Sequence, residues 1–339
     1  MIPWRQNSLA PASGSAEIRQ AAEHISRVAG ELDTAEGIVL GFLAYATIAS
    51  FELPMSGRQR LTITALNLLT TVVIFLLARV TEQKPHGFLV TVRDWLPALL
   101  ILLAYRESGM FFTPDPAHRL DHVLVRWDSF LLQNRWVLAI LAGLAPWAQY
   151  YLELAYLFCY PLVPLGLGCL LLARRKIETG NLELETRNWR SETGTEALQS
   201  KIQDPRSKTL VDQFWTAILI ANLVCYAVYP LFPLTPPRLL FHDLPGPPVP
   251  PLLRMANLWL LGNYGVQACI FPSGHVASVT ATALAVRAYR PRLGALFLVA
   301  AASVAVATVL LRYHYAADAL AGALVGCAAF AMSERIHRR

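Results

Sequence analysis

Residues 61–80 set the terms for this chain. They form an apolar run with Arg60 before it and Arg79 near its far end, and about 20 such residues make a helix long enough to cross the roughly 30 Å hydrocarbon core of a bilayer. The run is one of a series, since 38–51, 95–105, 151–173, 210–229, 272–289, 293–311 and 315–332 are apolar too. Hydrophobic residues make up 55% of the sequence and charged residues 15%, so these segments have no polar face with which to meet water. The expected class is all-α, a polytopic membrane helix bundle of about six to eight transmembrane helices. The run 95–105 is short, bracketed by Arg93, Asp94, Arg106 and Glu107, and spans with help from its neighbours. Residues 151–173 read as a single span. The last three runs are joined by very short turns and must be antiparallel neighbours.

The formal charge is +6, but the basic residues lie between apolar runs and form no stripe interleaved with aromatics. They report topology and anionic lipid surfaces; nucleic acid is not an expected partner. Twenty of the 29 lysines and arginines fall in the N-terminal segment, 79–93, 174–208, 287–292 and 335–339, which alternation of the spans places on one side. By the positive-inside rule that side, with both termini, is cytoplasmic. The expected location is the bacterial inner membrane. Four regions follow: a leader (1–35), N-terminal transmembrane and interfacial helices (36–173), a polar cytoplasmic loop (174–208) and a C-terminal transmembrane core (209–335).

The leader has Ile18, Ala21, Ala22, Ile25, Val28, Ala29 and Leu32 at helical spacing, a pattern that fits an interfacial amphipathic helix best, with a solvated leader as the alternative. It has no apolar signal region, so insertion is expected to rely on the internal helices. Residues 110–150 are mixed, with Trp127, Trp136 and Trp147 as expected interfacial anchors. Residues 230–251 are dense in proline, which cannot continue a helix, and read as an ordered loop. Cys159, Cys169, Cys225, Cys269 and Cys327 show neither a disulfide framework nor metal-ligand spacing.

Three polar knots interrupt the C-terminal runs: Pro236-Pro237-Arg238, Phe271-Pro272-Ser273-Gly274-His275, and Arg312-Tyr313-His314-Tyr315-Ala316-Ala317-Asp318. The topology brings all three to the extracytoplasmic face, where they read as one active site. His314 and Asp318 are four residues apart and share a helix face, about 5–6 Å between Cβ atoms. The carboxylate orients one imidazole nitrogen and leaves the other as a nucleophile. Gly322 and Gly326 continue that face and allow a second helix to come close. Pro272 and Ser273 suit a helix start, whose free amides bind an anion. Gly274 admits a phosphate to the backbone, and His275 stands ready as general acid. Arg238 and Arg312 would neutralise phosphate oxygens. The chemistry pointed to is phosphoryl transfer, with no metal and no cofactor in the scheme.

These motifs resemble the three-part signature of the type 2 phosphatidic acid phosphatase superfamily, which also holds the vanadium haloperoxidases. The form Arg312-Tyr313-His314-Tyr315 is similar to the branch of the inositolphosphorylceramide synthases. The resemblance covers roughly 229–322, and 93–160 more loosely. It implies a phosphatidic acid phosphatase/haloperoxidase-like helical core, a phosphohistidine on His314 oriented by Asp318, and protonation of the leaving group by His275. Ser273, Gly274, Arg238 and Arg312 would hold the phosphate. Two positions depart from the signature. Pro-Pro and no lysine precede Arg238, and Ala307 and Thr308 stand where Ser-Arg is usual, leaving Arg312 to act for the arginine.

The expected partners are the bilayer and a membrane lipid substrate bearing a phosphate or diphosphate. With water as acceptor the enzyme is a phosphatase; with a lipid hydroxyl it is a phospho-headgroup transferase. A transporter or scaffold is the remaining reading, and the sequence has no clear internal repeat to favour it.

Overall fold

The computed structural model describes residues 32–83, 87–111, 121–132, 145–178, 209–232, 234–240, 251–266 and 271–338, with 139, 143 and 268 besides. The amphipathic segment expected before residue 32, Trp136, Cys269 and nearly all of the 174–208 loop lie outside them. The described residues form twelve α-helices and no strand: α1 (Thr34–Glu52), α2 (Gly57–Gln83), α3 (Gly87–Met110), α4 (Asp121–Leu132), α5 (Pro146–Leu157), α6 (Cys159–Glu178), α7 (Thr209–Val228), α8 (Pro237–Leu240), α9 (Pro251–Tyr264), α10 (Gly274–Tyr289), α11 (Pro291–Leu310) and α12 (Ala316–His337). A single 3₁₀ turn, Tyr229–Leu231, follows α7. Six of these helices are long and apolar enough to cross a membrane, or seven if α5 and α6 count as one bent span. The fold is an all-α membrane helix bundle.

The short run expected at 95–105 is the middle of a full-length helix, α3. Arg93, inside its first turns, is buried because Glu36 of α1 takes Nε and Nη2 at 2.6 Å each and Thr81 of α2 accepts from Nη1 at 2.9 Å. A paired arginine can stay inside a helix bundle where an unpaired one cannot. The single span expected over 151–173 is instead two helices, bent by 62° at Phe158. Pro161 explains the break: its ring has no N–H and collides with the carbonyl four residues back, at Leu157. Of the proline-rich 230–251 stretch, the 3₁₀ turn and the short α8 are described.

α10 is the central post, packed by α6, α7, α11 and α12. Its small residues Ala277, Ala281, Ala283 and Ala285 are buried, which allows neighbouring helices to come close. α12 takes the closest seat: a side chain at Gly322 would meet the Ser273 carbonyl oxygen at 2.5 Å, and one at Gly326 the Ala277 carbonyl oxygen at 2.6 Å.

The two ends of the bundle differ. At one end Asp212 accepts from the Thr34 and Ala35 amides at 3.2 and 2.8 Å and faces His337 Nε2 at 3.0 Å, while Trp215 Nε1 donates to the Asp94 carbonyl. A small hollow lined by Asp33, Glu36, Arg93, Asp212 and Trp215 among others lies here, but the carboxylates of Asp33, Glu36 and Asp212 are engaged by Arg93, helix amides and His337. The opposite end gathers the end of α3, the short α4, α8 and α9, the start of α10 and the turn between α11 and α12.

Candidate active site

The three polar knots meet at that second end. α10 begins at Ser273, whose hydroxyl accepts from the Val276 N–H at 3.4 Å as an N-cap. The N–H of Ser273 donates to the Asp318 carbonyl at 3.1 Å, which fastens the second knot to the third. Where a side chain would stand at Gly274, the Tyr226 ring lies 3.2 Å away. On that side the missing Cβ makes room for an aromatic ring.

The third knot is a tight reversal. After α11 the amides of Tyr313 and His314 both donate to the Thr308 carbonyl, at 2.8 and 2.9 Å, and Arg312 takes a left-handed backbone with φ 62°, a conformation that costs a side-chain-bearing residue about 1–2 kcal/mol. This reversal aims His314 at the dyad geometry. Its Nδ1 lies 3.3 Å from Asp318 Oδ2, and its Nε2 lies 3.4 Å from His275 Nδ1. Asp318 Oδ2 also accepts from the Tyr315 N–H at 3.2 Å. Asp318 is fully buried and His314 only 7% exposed, so little water reaches either. With a carboxylate on Nδ1, the proton belongs on that nitrogen and Nε2 presents its lone pair toward His275.

Around the histidines stand tyrosines. The Tyr156 and Tyr160 rings lie 5.9 and 5.7 Å from the His275 ring, and Tyr156 stacks on Tyr313 at 3.8 Å. Arg238 is half-buried on α8 and close enough to Tyr160 to act on it electrostatically. Arg312 is partly buried beside a second arginine, Arg254 of α9; burial first and then the Arg254 charge hold its guanidinium below the ordinary value.

Arg254 belongs to a network that the sequence reading did not contain. Its Nη1 donates to the Leu311 carbonyl at 3.0 Å and to Glu153 Oε1 at 3.3 Å, and its guanidinium lies 4.6 Å above the Tyr313 ring. Glu153 Oε2 accepts from Asn257 at 2.6 Å and from the Tyr313 hydroxyl at 2.9 Å. Glu153 is fully buried inside an apolar run, and that is its sequence signal: a carboxylate at membrane depth is retained only with a partner. α4 makes the other unforeseen contribution, through Asp121 and Asp128. Asp121 accepts from the Thr235 N–H and hydroxyl at 2.6 and 3.2 Å, and Asp128 from the Ala316 N–H at 2.9 Å. Among the described residues no group of three or more histidine, cysteine or carboxylate side chains has metal-binding geometry, and the four described cysteines are free.

A His–Asp dyad, a second histidine and several arginines at one end of a membrane bundle form an arrangement for phosphoryl chemistry, and one comparison speaks to it. Residues 206–332 match a family model described as PAP2 superfamily. The match spans the three knots and supports an enzyme of the phosphatase or phosphotransferase type. No curated protein and no solved structure matches the chain.

Proposed function

We propose that the chain is an integral membrane enzyme that cleaves a lipid phosphate or diphosphate through a phosphohistidine on His314, at the extracytoplasmic face of the bundle. The observation that carries this reading is the relay from Asp318 Oδ2 to His314 Nδ1 and from His314 Nε2 to His275 Nδ1, at 3.3 and 3.4 Å. Asp318 holds the imidazole in the tautomer whose Nε2 attacks phosphorus. As the nitrogen–phosphorus bond forms, the bond from phosphorus to the lipid oxygen breaks, and His275 gives that oxygen its proton. An acceptor hydroxyl then attacks phosphorus, its proton passes to His275, and the nitrogen–phosphorus bond breaks. Arg238 and Arg312 offset the charge on the non-bridging oxygens, assisted by the amides at the start of α10 behind Ser273 and Gly274.

The 3.4 Å between His314 Nε2 and His275 Nδ1 leaves no room for a phosphorus atom between those nitrogens. Substrate must part them, and His275 is the ring that yields, because His314 is tied to Asp318. The excess of lysine and arginine in the sequence segments that alternation of the spans assigns to the other side of the membrane supports the extracytoplasmic orientation.

A second reading, in which the acceptor is a lipid hydroxyl and a phosphorylated headgroup is transferred as in inositolphosphorylceramide synthases, is favoured by the burial of Asp318 and His314. A dry site protects a phosphoryl-enzyme from water. One experiment addresses both. Full-length protein, wild type beside His314→Ala, is given phosphatidic acid, an isoprenoid diphosphate, and a phospholipid with ceramide or diacylglycerol, and the products are read by mass spectrometry. Inorganic phosphate from wild type alone is the expected result, and a new phospholipid without free phosphate establishes transfer instead. Turnover by folded His314→Ala at the wild-type rate refutes both.

A further inference from the structure

α4 precedes the segment that matches the family model, yet it ties two of the three knots together. Asp121, in its first turn, holds Thr235, three residues before Arg238, and also faces the Tyr315 hydroxyl at 3.5 Å. Two turns along the same face, Asp128 Oδ1 accepts from the N–H of Ala316 at 2.9 Å, the first residue of α12. The preceding amide, that of Tyr315, goes to Asp318 Oδ2 at 3.2 Å, the oxygen that also faces His314 Nδ1. Two carboxylates from different helices therefore share one helix N-terminus. Asp128 is 4% exposed and Asp318 fully buried. Like charges so placed repel, and the positive end of α12 offsets part of that repulsion for both.

We propose that Asp128 is a positioning residue for the His314–Asp318 dyad, which fixes the first turn of α12 through Ala316 and sets the proton affinity of His314 by its own charge. The assignment rests on the phosphohistidine reading of the same site. The charged and titratable groups around the pair are Asp318, beside both; His275, which meets His314 Nε2, with the Tyr156 and Tyr160 rings behind it; Asp121, which faces the hydroxyl of the adjoining Tyr315; and Arg312, two residues before His314, with Arg254 beside it. An ionised Asp128 strengthens the negative field at Asp318, so His314 holds a second proton more tightly. A neutral Asp128 weakens that field and frees Nε2 at lower pH. Burial pushes the Asp128 carboxyl up to about 6, against the Ala316 hydrogen bond that lowers it and with the Asp318 charge adding to the rise.

The test titrates His314 directly, by nitrogen NMR of imidazole-labelled full-length protein in nanodiscs, with its resonance identified by loss in His314→Gln. In Asp128→Asn the His314 midpoint falls by roughly half a unit to one unit; Asp128→Glu, which keeps the charge, stays near wild type. Asp128→Ser is a second charge-free variant, read in the same way should the asparagine fail to fold. An unmoved midpoint in a folded charge-free variant overturns the proposal. Phosphate release from phosphatidic acid by the same samples separates the two layers of argument. A moved midpoint without phosphate release by wild type keeps the coupling and sinks the phosphatase reading, whereas release with an unmoved midpoint does the reverse.

Discussion

Replacing Gly322 by alanine tests whether the site depends on the close seating of α12 against α10. The new Cβ would lie 2.5 Å from the Ser273 carbonyl oxygen and 3.2 Å from the Ser273 Cβ. Carbon and carbonyl oxygen settle no closer than about 3.3 Å, so the helices must part by about 0.8 Å. The obstacle is backbone, which has no rotamer to yield. A movement of that size stretches the Ser273-to-Asp318 hydrogen bond, now 3.1 Å, toward the limit of bonding. Overpacking costs about 1–3 kcal/mol and the weakened bond about 1, while alanine returns up to about 1 through helix propensity. The net loss is about 1–3 kcal/mol. Activity should suffer more, since a displacement near 1 Å between reacting groups costs about 10²-fold. Gly168→Ala is the control, because a Cβ there meets nothing within 4 Å. Thermal unfolding in detergent and phosphate release from phosphatidic acid, measured side by side, should show Gly322→Ala impaired in both and Gly168→Ala unimpaired. Wild-type melting and turnover in Gly322→Ala would refute the reasoning.

Removing Glu153 leaves Arg254 without its carboxylate beside Arg312, so Glu153→Ala should destabilise by about 3 kcal/mol, and truncating Arg254 as well should recover part of that loss in a double-mutant cycle; strictly additive effects would deny the pairing. Arg93→Ala strands the buried Glu36 at the far end of the bundle and should cost about 3–5 kcal/mol while leaving turnover per folded molecule unchanged, so a large fall in kcat would contradict the separation of the two ends. Asp128, its carboxyl raised to about 6 chiefly by burial, holds its proton more tightly in the folded than in the unfolded protein, whose carboxylates titrate near 3.9. Stability should therefore fall by up to about 3 kcal/mol as pH rises from about 4 to about 6, and Asp128→Asn should flatten that limb; parallel pH–stability curves for the two proteins would exclude it.

The fold class and the three knots were legible because both are written locally. An apolar run of helix-crossing length means the same thing whatever surrounds it, and His314 with Asp318, or Ser273 with His275, are close in sequence and carry their geometry in their spacing. What stayed hidden is contributed from afar. Asp128 and Ala316 lie 188 residues apart, and Tyr313 and Glu153 160, and no spacing rule spans such distances. The helices that supply Asp121, Asp128 and Glu153 read as surface or span segments, since their polar residues find partners only after the bundle closes. Ser273 and Gly274 show a different limit. Their residue types fit phosphate binding, but the same types also serve as a helix cap and as room for the Tyr226 ring, and local chemistry does not rank those uses.

The contacts of α4 and α5 also bear on how this protein can be divided. Cut before residue 206, the matched segment would retain every histidine and arginine of the three knots, and it would still lack the acceptors for the Ala316 and Thr235 amides, the Tyr313 hydroxyl and one hand of Arg254. Each of these would face hydrocarbon or a disordered interface in place of a carboxylate. The matched segment is therefore no self-contained cassette. Shortening the chain requires carrying residues 121–157 along with the matched segment.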